Sequence, residues 1–216
     1  MTAVLFDLDG VLIDSWQAVE AAFLAAAADH ALDGRARLSD FRARMGMPLE
    51  AIVAEFGFPS GFPAAFRAAA RLHDPKARAF PGVVAMLQHI RSAGLKLGVV
   101  TGKDRPRTLS ILAATGLIEL VDAVVTADDA PGKPAPDGLW LCERRLGAGA
   151  ALAFVGDTAI DLAAARNAGR IAMLAHWGGG PQVTDRAGVI EVATPGEVTD
   201  LVVALAQEAR RLEPAR

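Results

Sequence analysis

Two carboxylates, Asp7 and Asp9, stand at the end of the apolar run Val4-Leu5-Phe6, and Gly10 follows them directly. A buried strand with acids at its C-terminal tip holds them at the crevice where open α/β sheets bind ligands. Acids this close repel each other unless a cation lies between them, and hard oxygen donors favour Mg²⁺. Gly10 lets the chain turn sharply away without a Cβ penalty. A surface Asp-x-Asp-Gly turn would use the same residue types. Here, however, the acids follow an apolar strand at once, and the apolar pattern resumes at Val11-Leu12-Ile13.

Further along, other strand ends carry residues of complementary chemistry. Thr101-Gly102-Lys103 closes an apolar strand, and a hydroxyl beside the N–H groups of a glycine turn entering a helix can cradle an anion. A plain threonine cap before a helix is the competing reading. Lys133 lies in Pro131-Gly-Lys-Pro-Ala-Pro136, where prolines on both sides stiffen the loop and fix the direction of the ammonium. The chain has only four lysines, Lys76, Lys96, Lys103 and Lys133, so this one reads as a placed charge. Asp157, after Gly156, can complete a Mg²⁺ site with Asp7. Asp161, one helical turn on, faces the same way and can hold Lys133 or a metal-bound water.

The elements that must position these groups fall into two blocks. From Ser15 to His30, Trp16, Val19, Ala22, Phe23 and Ala26 recur at helical spacing. Ser39 reads as the N-cap of a short helix ending near Gly46. Helices 49–56 and 63–72 follow, and 74–81 is a linker. After Gly82 the pattern alternates: helix 83–93, strand 95–100, helix 105–115, strand 123–125, helix 137–146, strand 151–155, helix 159–168, strand 171–174, a short strand near Val189, and helix 195–212. Such alternation predicts a doubly wound parallel α/β sheet with right-handed crossovers. The core is residues 1–14 and 82–216, and residues 15–81 form a helical cap inserted after the first strand.

Composition narrows the function classes. The 216 residues are 52% hydrophobic, enough to bury a substantial core, and the net charge of −3 gives no basic footprint for nucleic acid or an anionic membrane. The lone Cys142 fits a reducing compartment. Neither a signal segment nor a membrane-length apolar run is present, so a cytoplasmic protein, monomeric or weakly dimeric, is expected.

Taken together, Asp7-Leu-Asp9-Gly-Val, Thr101-Gly-Lys, Lys133-Pro and Gly156-Asp157-Thr-x-x-Asp161 resemble, in order, the four motifs of the haloacid dehalogenase superfamily of phosphohydrolases. The resemblance spans nearly the whole chain. The segment to Ser15 followed by a small helical cap is similar to the branch containing phosphoglycolate phosphatase and β-phosphoglucomutase. The chain also resembles phosphatases attached to aminohydroxybenzoate and other secondary-metabolite pathways. The resemblance implies a Mg²⁺-dependent phosphomonoester hydrolase acting on a small phosphorylated metabolite. Asp7 would be the nucleophile and Asp9 the general acid and base. Mg²⁺ would be held by Asp7, Asp157 and the backbone carbonyl of Asp9. Thr101, Gly102, Lys103 and Lys133 would bind the phosphoryl group, and Asp161 would orient Lys133 or the metal water.

Within the cap, Arg42, Arg44 and the turn Met45-Gly-Met-Pro48 are candidates for contacts to the substrate body; a solvated helix face and turn is the other reading. Trp177, in His176-Trp-Gly178, either borders the site or packs on the core. Three relatives are weighed by residues. A dehalogenase has no need of Asp9, and a phosphonatase needs a cap lysine that 15–74 lacks. A phosphosugar mutase of the β-phosphoglucomutase type, the alternative function, usually carries a cap histidine where Val19 stands. A non-catalytic binding protein on the same fold would be expected to have lost a motif residue, and none is missing.

Overall fold

In the computed structural model, which describes residues 2–212, Ala3–Phe6 forms β1, and all four of its residues are buried. A strand covered on both faces requires this, and its neighbours are parallel on both sides. β4 (Lys96–Val100) and β6 (Ala153–Gly156) flank it. Outside them lie β5 (Ala123–Val125) on one edge, and β7 (Ile171–Ala175) then β8 (Val189–Val192) on the other, in the order β5-β4-β1-β6-β7-β8. Alternate β1 side chains serve opposite layers. Val4 and Phe6 pack with Val83, Leu87 and Ile90 of α5 (Val83–Ser92), Leu112 of α6 (Arg105–Ala114) and Val202 of α9 (Pro195–Leu212). Ala3 and Leu5 pack with Leu139 and Cys142 of α7 (Asp137–Leu146) and Leu162 of α8 (Ala159–Ala168). The sheet is therefore doubly wound, and every parallel strand delivers its C-terminal tip to the same edge.

Between the first strand and α5 the chain builds α1 (Trp16–Asp29), α2 (Gly34–Ala43), α3 (Leu49–Phe56) and α4 (Phe62–His73). These helices share a separate hydrophobic cluster. Its centre is aromatic, with the Phe23 and Phe41 rings 4.4 Å apart and Phe58 stacked on Phe62 at 4.7 Å.

Two local expectations are corrected. Ser39 is not an N-cap: α2 starts five residues earlier, because the Asp33 carboxylate accepts from Ala36 N and starts the helix there, leaving Ser39 exposed within it. Nor is 74–81 a plain linker. It holds a 3₁₀ turn, Asp74–Lys76, and β3 (Arg78–Ala79), which pairs antiparallel with β2 (Ile13–Asp14). Two-residue strands are too short to show a period in sequence. The outgoing and returning chains are thus tied to each other where they cross. Among the described residues, no helix is long and apolar enough to cross a membrane.

Candidate active site

Asp7 extends the β1 ladder, its N–H donating to the Val155 carbonyl at 2.9 Å, and its carboxylate points into a buried cluster. Lys133 reaches it from the loop before α7, with Nζ 2.7 Å from Asp7 Oδ1 and 2.6 Å from Asp161 Oδ1. That loop is anchored by Asn167, whose amide donates to the Pro134 carbonyl at 2.9 Å. Asp161 is fixed by the start of α8. It forms a capping box with Thr158, its Oδ2 accepting from Thr158 Oγ1 at 2.6 Å and from Thr158 N at 3.1 Å. Asp157 lies beside them at the tip of β6, against Gly10.

Gly10 is required twice over. Its φ of +79° lies in the left-handed region, and a Cβ there would fall on the Asp157 carboxylate.

Asp9 faces elsewhere. Its carboxylate accepts from the Ser15 hydroxyl and lies 3.2 Å from Lys103 Nζ. Burial opposes its charge, but Lys103, Ser15 and Arg107 prevail and hold it below the ordinary carboxylate value. Asp7 goes the other way. Burial, helped by Asp161 and Asp9, outweighs Lys133 and pushes its carboxyl up to about 7. Burial likewise raises Asp157 well above the ordinary value, with Asp161 and Asp7 adding to it. Lys133 is held charged because its two carboxylates outweigh its desolvation.

The donor set fits a divalent cation. Asp7, Asp157 and Asp161 offer oxygens within 4.8 Å of one another, and a single ammonium lies among these three buried carboxylates. Both Asp161 oxygens are engaged by Lys133 and Thr158, whereas the Asp157 carboxylate makes no hydrogen bond among the described residues. Unmatched buried charge of this kind is costly unless a cation joins it, and the all-oxygen donors suit Mg²⁺. The Asp9 carboxylate lies outside this cluster.

The Thr101–Lys103 segment forms the adjoining wall. Thr101 Oγ1 accepts from Lys103 N at 3.2 Å, and the cap turn lies directly on Gly102. A Cβ at Gly102 would stand 2.6 Å from the Gly46 carbonyl oxygen and 2.7 Å from that of Met47, so only glycine permits this approach. The turn Met45–Pro48 is therefore at the site. Arg42 borders it too, but its guanidinium donates to the Gly179 carbonyl at 2.6 Å and lies 4.1 Å from the Trp16 ring centre. Arg44 is not brought there. It pairs with Glu55 at 2.8 Å on the surface and lies over Phe56. Trp177 packs on the core side, donating from Nε1 to the Val11 carbonyl at 2.8 Å.

Sequence reading missed Ser15, Arg67, Asp104 and Arg107. Arg107 makes a buried two-pronged pair with Asp74, at 2.7 and 2.9 Å, joining α6 to the end of the helical insert. These partners lie 33 residues apart, and no local spacing reveals them.

Residues 4–175 match the family model for haloacid dehalogenase-like hydrolases. The chain is 36% identical over 190 residues to "Probable phosphatase IndB" of Dickeya dadantii, with 81% of each chain covered. It is 34% identical over 174 residues to a pyrophosphatase, PpaX, of Bacillus velezensis, covering 78% of this chain and 80% of that one. It is also 32% identical over 186 residues to a phosphoglycolate phosphatase of Cereibacter sphaeroides, covering 78% and 82%. In fold it is similar to the crystal structure of a hydrolase from Pseudomonas syringae, with a TM-score of 0.80 at 24% identity over 95% of this chain and 99% of that one.

Proposed function

The chain belongs to the haloacid dehalogenase-like hydrolases, and from that premise we propose that it is a Mg²⁺-dependent phosphomonoester hydrolase of small phosphorylated metabolites, working through an aspartyl-phosphate on Asp7. The observation that carries the reading is the Asp7 carboxylate. It is buried at a strand tip, with one oxygen held by Lys133 at 2.7 Å and the other free of hydrogen bonds among the described residues.

The free oxygen of Asp7 attacks phosphorus, and the bond to the leaving oxygen breaks. Asp9 gives that oxygen a proton. A phosphate dianion arriving beside Asp9 raises its proton affinity, so a group that is ionised in the empty site becomes an acid in the occupied one. Asp9 then takes a proton from the water that attacks the aspartyl-phosphate, freeing inorganic phosphate and restoring Asp7. Lys133, the Thr101 hydroxyl and the Gly102 N–H stabilise the phosphoryl oxygens. Asp161 keeps the ammonium of Lys133 aimed at Asp7. Asp7, Asp157 and the backbone carbonyl of Asp9 would hold Mg²⁺, which would supply neutralisation of the phosphate charge.

Helices α1–α4 act as the cap, hinged at the β2–β3 pair, and exclude water when closed. Val19 borders the cavity beneath that cap as an apolar group, so it has no means of steering a phosphoryl group back to substrate as a mutase must. The buried, unpaired thiol of Cys142 suits a reducing cytoplasm.

The test is release of phosphate from p-nitrophenyl phosphate with Mg²⁺, with and without excess chelator, plus acid-quench trapping of a protein-bound acyl phosphate. Turnover that vanishes with chelator and a label absent from Asp7→Asn are expected. Full activity in chelator, or in Asp7→Asn, refutes the mechanism.

A further inference from the structure

A cavity lies above Asp7, bounded by the strand tips and by helices α1–α4. Its floor is polar, formed by Asp7, Asp9 and the Thr101–Asp104 segment. Its roof is apolar: Val19 of α1, Phe41 of α2, Ile52 of α3 and Phe66 of α4 each contribute one side chain. These four side chains belong to the hydrophobic cluster of the insert, and where they meet the cavity they present only hydrocarbon to it.

The charges along the cavity wall support the same conclusion. Among the described residues three basic side chains border it, and each is already matched. Lys103 lies 3.2 Å from Asp9. Arg107 is held by Asp74 on two prongs, at 2.7 and 2.9 Å. Arg67 pairs with Glu50 and lies 3.5 Å from Asp104. A carboxylate on the substrate would find no unmatched cation among the described residues of this wall and would face Asp104. Stripping a carboxylate of water without a partner is strongly unfavourable. Arg42, on the far side of the site, is engaged with the Gly179 carbonyl and the Trp16 ring, at the joint between cap and core.

We propose that the substrate is the phosphate monoester of an uncharged, apolar alcohol. The phosphoryl group sits on the floor and the hydrocarbon against the roof. This rests on the phosphatase reading above, and it sets the chain apart from a preference for phosphoglycolate, the substrate in the name of several relatives.

The experiment compares kcat/KM for the n-alkyl phosphates from ethyl to pentyl, benzyl phosphate and 2-phosphoglycolate, at one Mg²⁺ concentration. Each added methylene should raise kcat/KM about fourfold until the cavity is full, the value for full burial of one CH₂. Benzyl and butyl phosphate should exceed phosphoglycolate by at least about tenfold. Glu50→Gln, at an exposed position, removes one of the two carboxylates on Arg67, so the ratio of phosphoglycolate to butyl phosphate should rise. Ile52→Ala should move the best alkyl length upward, with circular dichroism verifying the fold. Phosphoglycolate hydrolysed as well as butyl phosphate overturns this assignment and leaves the phosphatase reading standing. If that preference then disappears in Arg42→Ala, the carboxylate lies on the opposite wall. A flat alkyl series also overturns it. No phosphate from any ester overturns the phosphatase reading and this proposal with it.

Discussion

Asp7→Asn should do two opposite things, abolish turnover and stabilise the metal-free protein above neutral pH. The folded protein holds the Asp7 proton to about pH 7, against an ordinary carboxylate value of 3.8. The folded state thus binds this proton more tightly than the unfolded chain does. The stability it contributes is complete below about pH 4 and is lost as pH rises to about 7. A gap of about three pH units corresponds to about 4 kcal/mol. Asparagine is neutral throughout and nearly isosteric, so the variant escapes that loss while giving up the Lys133 ion pair. The net advantage at pH 8 should be about 1–3 kcal/mol, scaled down from the full linkage value. Urea unfolding followed by tryptophan fluorescence at pH 5, 6, 7 and 8, in chelator, measures it. The difference between the two proteins isolates Asp7 from every other titrating group, except that Asp157 also relaxes when its charged neighbour is removed. Saturating Mg²⁺ should stabilise the wild type in proportion to its affinity and close the gap. Wild type more stable at pH 8 than the variant in chelator, or a gap independent of pH, would refute the account of Asp7 as a desolvated acid awaiting a cation.

Lys133→Met strands Asp7 and Asp161 without a counter-charge and should cost about 3–5 kcal/mol at pH 8 by urea unfolding. Gly10→Ala should lower kcat at least about a hundredfold, because its Cβ falls on the Asp157 carboxylate; steady-state kinetics with a Mg²⁺ titration check it. Arg107→Met alone leaves Asp74 buried and unpaired and should lower stability by about 3–5 kcal/mol, whereas Arg107→Met with Asp74→Leu should recover most of that; a double-mutant cycle measures the difference. Arg44→Ala removes only an exposed pair with Glu55 and should change stability by under about 0.5 kcal/mol and KM not at all, which denaturation and kinetics can confirm.

The strands and their order of appearance were legible because a parallel sheet buried on both faces demands unbroken apolar runs, and 97–100 and 153–155 are such runs. The strand-tip acids were legible because each run ends abruptly in a carboxylate, hydroxyl or glycine. What escaped was set by distance in the chain. Ser39 has the right chemistry for a cap, but Asp33 has it too and comes first. Of the candidates Arg42 and Arg44, the solvated-face reading holds for Arg44, because two residues around a helix place them on different faces. Arg107 and Asp74 each look like ordinary surface charges, and only the tertiary fold buries them together.

The segment from Thr101 to Arg107 links the parts of the site that the cap must coordinate. Thr101 and Gly102 line the floor, and Gly102 carries the cap turn on its bare Cα. Lys103 holds Asp9, Asp104 lies beside Arg67 of the cap helix α4, and Arg107 grips Asp74 where the cap returns to the core. These contacts meet within one strand end and the first turn of α6. The backbone of the segment is held by the Thr101–Val125 ladder bond at 3.0 Å and by the Asp104 carboxylate capping Arg107 N at 3.2 Å.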